Sequence, residues 1–235
     1  MNLLIIDTET TGVDAAQDSV IEIGAVLYSC PYQTTLFQIS FLLCAQDNPA
    51  EGINRIPPSA LKCLPAELQQ QSLQMLQSMA AQATYVVAHN ADFDRQWFDD
   101  IRLPVLKNSY RHPLKWLCTM SDMTWPRQNR PGESLVNLAL NHGIGIGSAH
   151  RALTDCQLIA ELFNRITQDE LASLVKQAVR PKAFFRANVS YDDRHLAKEA
   201  GFQWYGQEKM WARWIAKEDA ARLPFSVACL MEAAS

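Results

Sequence analysis

An α/β architecture, a mixed five-stranded sheet covered by helices, is predicted by the order of apolar segments in this chain. Three observations lead there. Short apolar runs suited to strands occupy residues 3–7, 20–28 and 35–43. Helical and strand-like segments then alternate as far as the stretch that follows Asp155. With 235 residues, 48% of them hydrophobic, the chain has material for one ordinary domain and a small appendage. Strands first and then alternating helix and strand pack as a mixed sheet between helical layers.

The first strand, Leu3-Leu4-Ile5-Ile6, runs directly into Asp7-Thr8-Glu9-Thr10-Thr11-Gly12. Alternate side chains of a strand share a face, so Asp7 and Glu9 point the same way. Neighbouring carboxylates repel and lose hydration unless a cation offsets both costs, and Mg²⁺ or Mn²⁺ prefers such oxygen ligands. Taken alone, the pair favours a solvated strand end leading into a Thr/Gly turn.

Asn54 to Pro65 is a Pro-broken connection into a helix over Pro65–Ala83, with Leu64, Leu68, Leu73, Met75, Leu76 and Met79 among its apolar positions. A strand at 84–88 precedes Ala88-His89-Asn90-Ala91-Asp92-Phe93-Asp94. Trp97, Phe98 and Ile101 then recur at helical spacing, which puts Asp94 on the buried stripe and turns Asp92, Arg95, Asp99 and Asp100 away from it. A short strand or loop at 114–119 and a helix near 134–142 come next. In His150-Arg151-Ala152-Leu153-Thr154-Asp155, the stripe of Leu158, Ile159 and Leu162 extends back to Asp155. An N-cap role explains Asp94 or Asp155 singly. Four carboxylates directed inward as a set call for a cation.

These segments resemble the Exo I, II and III motifs of the DEDDh 3′–5′ exonuclease superfamily. That superfamily includes polymerase proofreading subunits, ribonuclease T and oligoribonuclease. The matches are D-x-E-T-T-G at 7–12, H-N-A-x-F-D at 89–94 and H-R-A-x-x-D at 150–155. The string Tyr85–Arg95, with Trp116-Leu117-Cys118-Thr119-Met120 ahead of Trp125-Pro126, is most similar to exonuclease X-type enzymes. The resemblance covers roughly residues 1–168, and three ordered motifs are far more specific than one. It implies a ribonuclease H-like fold. It makes Asp7, Glu9, Asp94 and Asp155 the ligands of two Mg²⁺ or Mn²⁺ ions and His150 the general base. It also implies that the backbone around Thr10, with His89, Asn90 and Phe93, seats the terminal nucleotide. Ile56 is implied as an apolar wedge against the terminal base, although Asn54-Arg55-Ile56 lacks the Gly the family usually places before it.

The chemistry supports the hydrolytic roles independently. In-line phosphodiester hydrolysis uses one metal to acidify the attacking water and a second to stabilise the leaving 3′-oxygen. A histidine, titrating near neutrality, can take the water's proton. Five residues before Asp155, His150 would splay away from it on a continuous helix, so it belongs in the loop ahead of that helix. His112, His142 and His195 have no such context.

The bulk properties set limits. Residues 181–235 hold eight Lys/Arg and seven Asp/Glu, leaving thirteen and eighteen for the remainder, which is therefore net −5. Bulk affinity for the phosphate backbone should be modest. That suits an enzyme gripping a 3′ end, single-stranded or frayed, and not a protein that coats nucleic acid. Cys30, Cys44, Cys118 and Cys156 lie among apolar residues and read as reduced core thiols of a cytoplasmic protein. No signal peptide or membrane span is expected.

The expected division is an exonuclease domain over 1–170, a linker at 171–182 and a small α+β module over 183–235. In the module, Phe184–Tyr191 alternates as a strand and Asp192 opens a short helix closed by Gly201. Phe202–Tyr205 and Met210–Ile215 flank a hairpin turn at 206–209, and Lys217–Leu223 can form a second helix. Trp204, Trp211 and Trp214 with Lys209 and Arg213 can stack single-stranded bases, or simply fill the core of a small domain, or dock a protein partner. The leading function is a metal-dependent 3′–5′ exonuclease releasing nucleoside monophosphates, with DNA favoured, RNA open and DNA repair a possible setting. A proofreading-type interaction subunit or a non-catalytic binding protein on the same fold are the alternatives.

Overall fold

A computed structural model describes residues 1–147 and 150–232 of the chain. Strands β1 (Asn2–Thr10), β2 (Val20–Ser29) and β3 (Thr34–Leu42) form an antiparallel meander. Two one-turn helices, α1 (Glu51–Asn54) and α2 (Pro58–Leu61), lead to α3 (Ala66–Ala80). Then come β4 (Tyr85–Ala88), α4 (Ala91–Arg95), β5 (Lys115–Cys118), α5 (Leu135–Asn141), α6 (Ala152–Asn164) and α7 (Gln168–Ala178). The sheet order is β3-β2-β1-β4-β5, with β1, β4 and β5 parallel. The expected mixed five-stranded sheet is present.

Alternation along β1 divides the core in two. Leu3 and Ile5 face α5, α6 and α7, packing among Val87, Ile159, Phe163 and Leu174. Leu4 and Ile6 face α3 and the segment after α4, among Leu76, Met79, Trp97 and Leu106. Covered on both faces, β2 is buried at every position, as a central strand of a doubly covered sheet must be. Continuing the β1 alternation puts Asp7 and Glu9 on the α6 side.

The close approach of α6 depends on one glycine. A Cβ on Gly24 would stand 2.2 Å from the Ala152 carbonyl carbon and 2.3 Å from the Leu153 nitrogen, both backbone atoms that cannot swing aside. Gly24→Ala should cost about 3 kcal/mol, the upper end for overpacking, and lower the Tm by about 6–12 °C in a chain of this size. A thermal melt within about 2 °C of wild type, about 1 kcal/mol or less in a chain of this size, would show that the helix can move at little cost.

Several expectations are corrected. The segment after Asp94 is not a continuing helix: α4 ends at Arg95, Asp100 takes a left-handed φ of 65°, and Ile101 is 89% exposed. Trp97 and Phe98 are buried as expected. On α3, Leu68 and Met75 face solvent. Cys44 is exposed, whereas Cys30, Cys118 and Cys156 are buried, and all six thiols are free. The stretch 171–182 is not a linker. It is mostly α7, which begins with a capping box: the Thr167 hydroxyl accepts from Glu170 N–H while the Glu170 carboxylate accepts from Thr167 N–H.

The C-terminal residues build a second sheet in the order β7-β8-β6-β9, from β6 (Lys182–Ala187), β7 (Gln203–Tyr205), β8 (Met210–Ala216) and β9 (Val227–Glu232). Helices α8 (Arg194–Glu199) and α9 (Lys217–Ala220) complete it. Ala183, Phe185, Ala197, Phe202 and Ile215 make its small core. The hairpin and both helices fall where expected; β9 was not foreseen. No described helix is long and apolar enough to cross a membrane.

Candidate active site

The parallel strands β1, β4 and β5 end at one edge of the sheet, where α/β sheets gather their ligands. Asp7 and Glu9 arrive there on β1, and Asp155 sits in the first turn of α6, against the same face. One carboxylate oxygen from each of these three lies within 4.8 Å of the others. Asp94, 1% exposed, approaches from α4, and its Oδ1 accepts from Thr8 N–H at 3.0 Å and Thr8 Oγ at 2.8 Å. This backbone-anchored pair fixes α4 against β1.

The electrostatics are those of charges crowded without compensation. Burial, reinforced by Asp94, Asp155, Glu9 and Glu22, raises Asp7 well above the carboxylate range. Burial also raises Glu9 to about 7 and Asp94 to about 7, the latter against the hydrogen bonds from Thr8. Asp155 is raised by burial too, opposed by the charge and backbone N–H of His150. Among the described residues, Asp155 Oδ1 is buried with no hydrogen-bond partner. An all-oxygen donor set with an orphaned carboxylate oxygen fits a hard divalent cation, and no ordinary packing role explains it.

His150 precedes α6 in an exposed bend, with a left-handed φ of 63°. The adjoining Arg151 is held by Glu22, a residue the sequence reading passed over. Glu22 is 1% exposed, accepts from Arg151 Nε and Nη2 at 2.9 Å each, and takes Ala152 N–H at 3.2 Å. It thereby caps a helix whose own N-cap residue, Arg151, provides no side-chain cap. The available signal was one acid inside the continuous apolar run Val20–Ala25. Glu22→Gln should keep the fold and lower kcat by about tenfold, because a charge-assisted bidentate pair is roughly twice as strong as its neutral replacement. A wild-type kcat in steady-state assays would show that this anchor does not position His150.

The residues expected to seat a terminal nucleotide divide. Asn90 is exposed with φ 71° at the start of α4, and half-buried Phe93 packs edge-on against Trp97 at 6.2 Å. Thr10 is buried at the end of β1 beside a register shift, and its carbonyl accepts from Asn54 Nδ2. His89 is tied on both ring nitrogens, Nδ1 to Thr119 Oγ1 at 2.9 Å and Nε2 to the Glu133 carbonyl at 3.0 Å. Facing a carbonyl, Nε2 must donate, so Nδ1 accepts from the Thr119 hydroxyl. Burial lowers this imidazole to about 4, and the neutral ring braces the ends of β4 and β5.

Ile56 does not sit where a wedge is needed. It is 2% exposed and packs with Ile21 and Leu61. Its neighbour on α1, Ile53, is 62% exposed instead. The left-handed Arg55 between them turns one inward and leaves the other outside.

Residues 4–163 match the family model described as "Exonuclease", and residues 183–230 match one described as a domain of unknown function. The chain is 31% identical over 162 residues to DNA polymerase III subunit epsilon of Treponema pallidum (strain Nichols), covering 67% of this chain and 72% of that protein. Among solved structures it is similar to exonuclease X in complex with 5′ overhanging duplex DNA (25% identity, TM-score 0.50, 73% of this chain and 98% of that one). It also shares the fold of the nuclease domain of 3′hExo, a DEDDh family member bound to rAMP. That match has 15% identity and a TM-score of 0.56, over 72% of this chain and 92% of that one.

Proposed function

This chain belongs to the DEDDh 3′–5′ exonuclease superfamily, and we propose that it removes nucleoside 5′-monophosphates one at a time from the 3′ end of DNA in preference to RNA. The family's activity depends on divalent metal. Here Asp7, Glu9, Asp94 and Asp155 would hold two Mg²⁺ or Mn²⁺ ions, which when bound acidify the attacking water and stabilise the leaving 3′-oxygen. The convergence of half-buried Asp7, Glu9 and Asp155 with buried Asp94, each carboxyl raised above its ordinary range, carries this reading.

The chain's own groups supply the rest. His150, on its exposed bend, takes the proton of the attacking water at an imidazole nitrogen and passes it to solvent. Glu22, through Arg151, sets where that bend starts. Asn90, Phe93 and the Thr10 backbone receive the terminal nucleotide, with Ile53 rather than Ile56 as the apolar surface against its base. His89 shapes this pocket from behind and does not exchange protons with substrate. The preference for DNA is supported by the likeness to exonuclease X, whose complex contains DNA.

The test uses four matched 5′-labelled oligonucleotides, single- and double-stranded, DNA and RNA, with Mg²⁺ or Mn²⁺. A ladder shortening from the 3′ end, fastest on DNA, is expected; the absence of shortening on every substrate would refute the proposal. The likeness to the epsilon subunit favours one second reading, a proofreading-type subunit. Co-purification of a polymerase that is lost on truncation at Pro181 would support it.

A further inference from the structure

The C-terminal sheet and the exonuclease body enclose a cleft of about 300 Å³. Its charge is unequal. Arg180, Lys182, Arg213 and Arg222 line it against two carboxylates, Asp122 and Asp219. Arg180 is paired with Asp219, and Lys182 with Asp122 at 2.5 Å. Arg213 and Arg222 have no carboxylate within 4.0 Å among the described residues. The Arg213 side chain is half-buried. It donates to the carbonyls of Ala200 at 2.6 Å and Ser121 at 3.0 Å, which occupies only part of its five-donor fork. A chain of net charge −4 thus gathers four cations against two carboxylates in one cleft, two of those cations outside any ion pair among the described residues. Guanidinium groups placed in this way suit phosphate.

An aromatic surface on the face of β8 opposite Arg213, whose register partner is Phe185, reaches the same cleft at Trp214. Strand register puts Phe184 opposite Trp214, on the face away from the module's core, which takes Phe185 and Ile215. Their rings lie 5.3 Å apart, with Tyr205 5.4 Å from Phe184, and Trp214 itself lines the cleft. Trp211 packs on the module core and Trp204 leans on Trp211, so neither belongs to this surface. The cleft also has a position relative to the chemistry. Its wall at Met120–Thr124 directly follows Thr119, the residue that fixes His89 at the sheet edge where Asp7 and Glu9 stand.

We propose that this cleft holds the single strand upstream of the 3′ terminus, with Arg213 and Arg222 receiving its phosphates and Trp214 stacking against a base. The cleft would give the enzyme a grip on long strands that its acidic body lacks. A purely structural role for Arg213, clamping the module to the body, predicts no effect of Arg222 or Trp214 on substrate. This inference rests on the exonuclease reading above, and the experiment separates the two.

Full-length Arg222→Glu and Trp214→Leu would be compared with wild type on a dinucleotide and on a single strand of about 20 nucleotides. The longer strand exceeds the roughly 4–16 nucleotides that a small single-strand module covers. The expected result is a KM for the long strand raised about tenfold in each variant, within the range for losing one stacked base or a phosphate contact. Dinucleotide kcat/KM should be unchanged, and the salt dependence of Arg222→Glu should be shallower. Unchanged long-strand KM in Arg222→Glu, whose exposed side chain leaves the fold intact, would overturn the proposal, as would equal losses on both substrates. If wild type cleaved neither substrate, the exonuclease reading would fail by itself. Fluorescence anisotropy with the labelled 20-mer would then decide the cleft alone, with a tenfold weaker Kd expected in both variants and an unchanged Kd overturning it.

Discussion

Asp7→Asn abolishes turnover, to below about a thousandth of wild type, and at the same time raises the melting temperature of the metal-free protein at pH 8. The first effect is the loss of several kcal/mol of charge stabilisation at the reacting phosphate. The second follows from how the carboxylates are held. Asp7 is raised well above the ordinary range, Glu9 to about 7 and Asp94 to about 7, each chiefly by burial. A carboxyl group whose folded pKa exceeds its unfolded one favours the fold while protonated. That contribution is complete below the unfolded value of roughly 4 and is lost as pH rises through the folded value. At pH 8 without metal, the folded protein therefore holds crowded, dehydrated carboxyl groups whose cost unfolding relieves by separating and rehydrating them. Replacing Asp7 with a neutral isostere removes the most strongly opposed of them. Thermal melts in chelator should show a gain of about 4 °C or more at pH 8, what about 1–2 kcal/mol gives in a chain of this length, and almost none at pH 5. A variant that melts lower than wild type at pH 8 would mean that Asp7 is a structural ligand of the fold.

His150→Ala lowers kcat by about 10²–10⁴-fold, the range for a lost general base, and leaves KM and Mn²⁺ affinity near wild type. The separation is possible because His150 stands outside the fold's packing. It is exposed on a bend before α6, whose first turn is fixed independently by Glu22 through Arg151 and Ala152 N–H. Losing the imidazole should therefore not displace Asp155. A wild-type kcat would remove His150 from the mechanism, and a parallel loss of Mn²⁺ affinity would make it a support of the metal ligands.

What the sequence made legible was what simple periodicity encodes. The two-residue repeat of β1 placed Asp7 and Glu9 on one face, and the stripe Leu158-Ile159-Leu162 placed Asp155 beside them. Where periodicity was short or interrupted, the expectation slipped. No glycine or proline marks the end of α4, and the left-handed turn at Asp100 put Ile101 into solvent. Ile56 went inward and Ile53 outward beside one-turn helices too short to carry a pattern. Helix α7 did carry a signal, the T-x-x-E box at Thr167–Glu170, which outweighs the polar composition of the stretch. Glu22 and its hold on the His150 loop join residues 129 positions apart, and no local pattern reports such a pairing.

The most direct measurement is a calorimetric titration of the metal-free protein with Mn²⁺ at pH 7, in two buffers of different ionisation heat. Glu9 and Asp94, each near half-protonation at that pH, must surrender protons to become ligands. Two ions should bind per chain with release of protons, and both binding and release should collapse in Asp7→Asn. Binding without proton release, or no binding at all, would contradict a metal centre built from these four carboxylates.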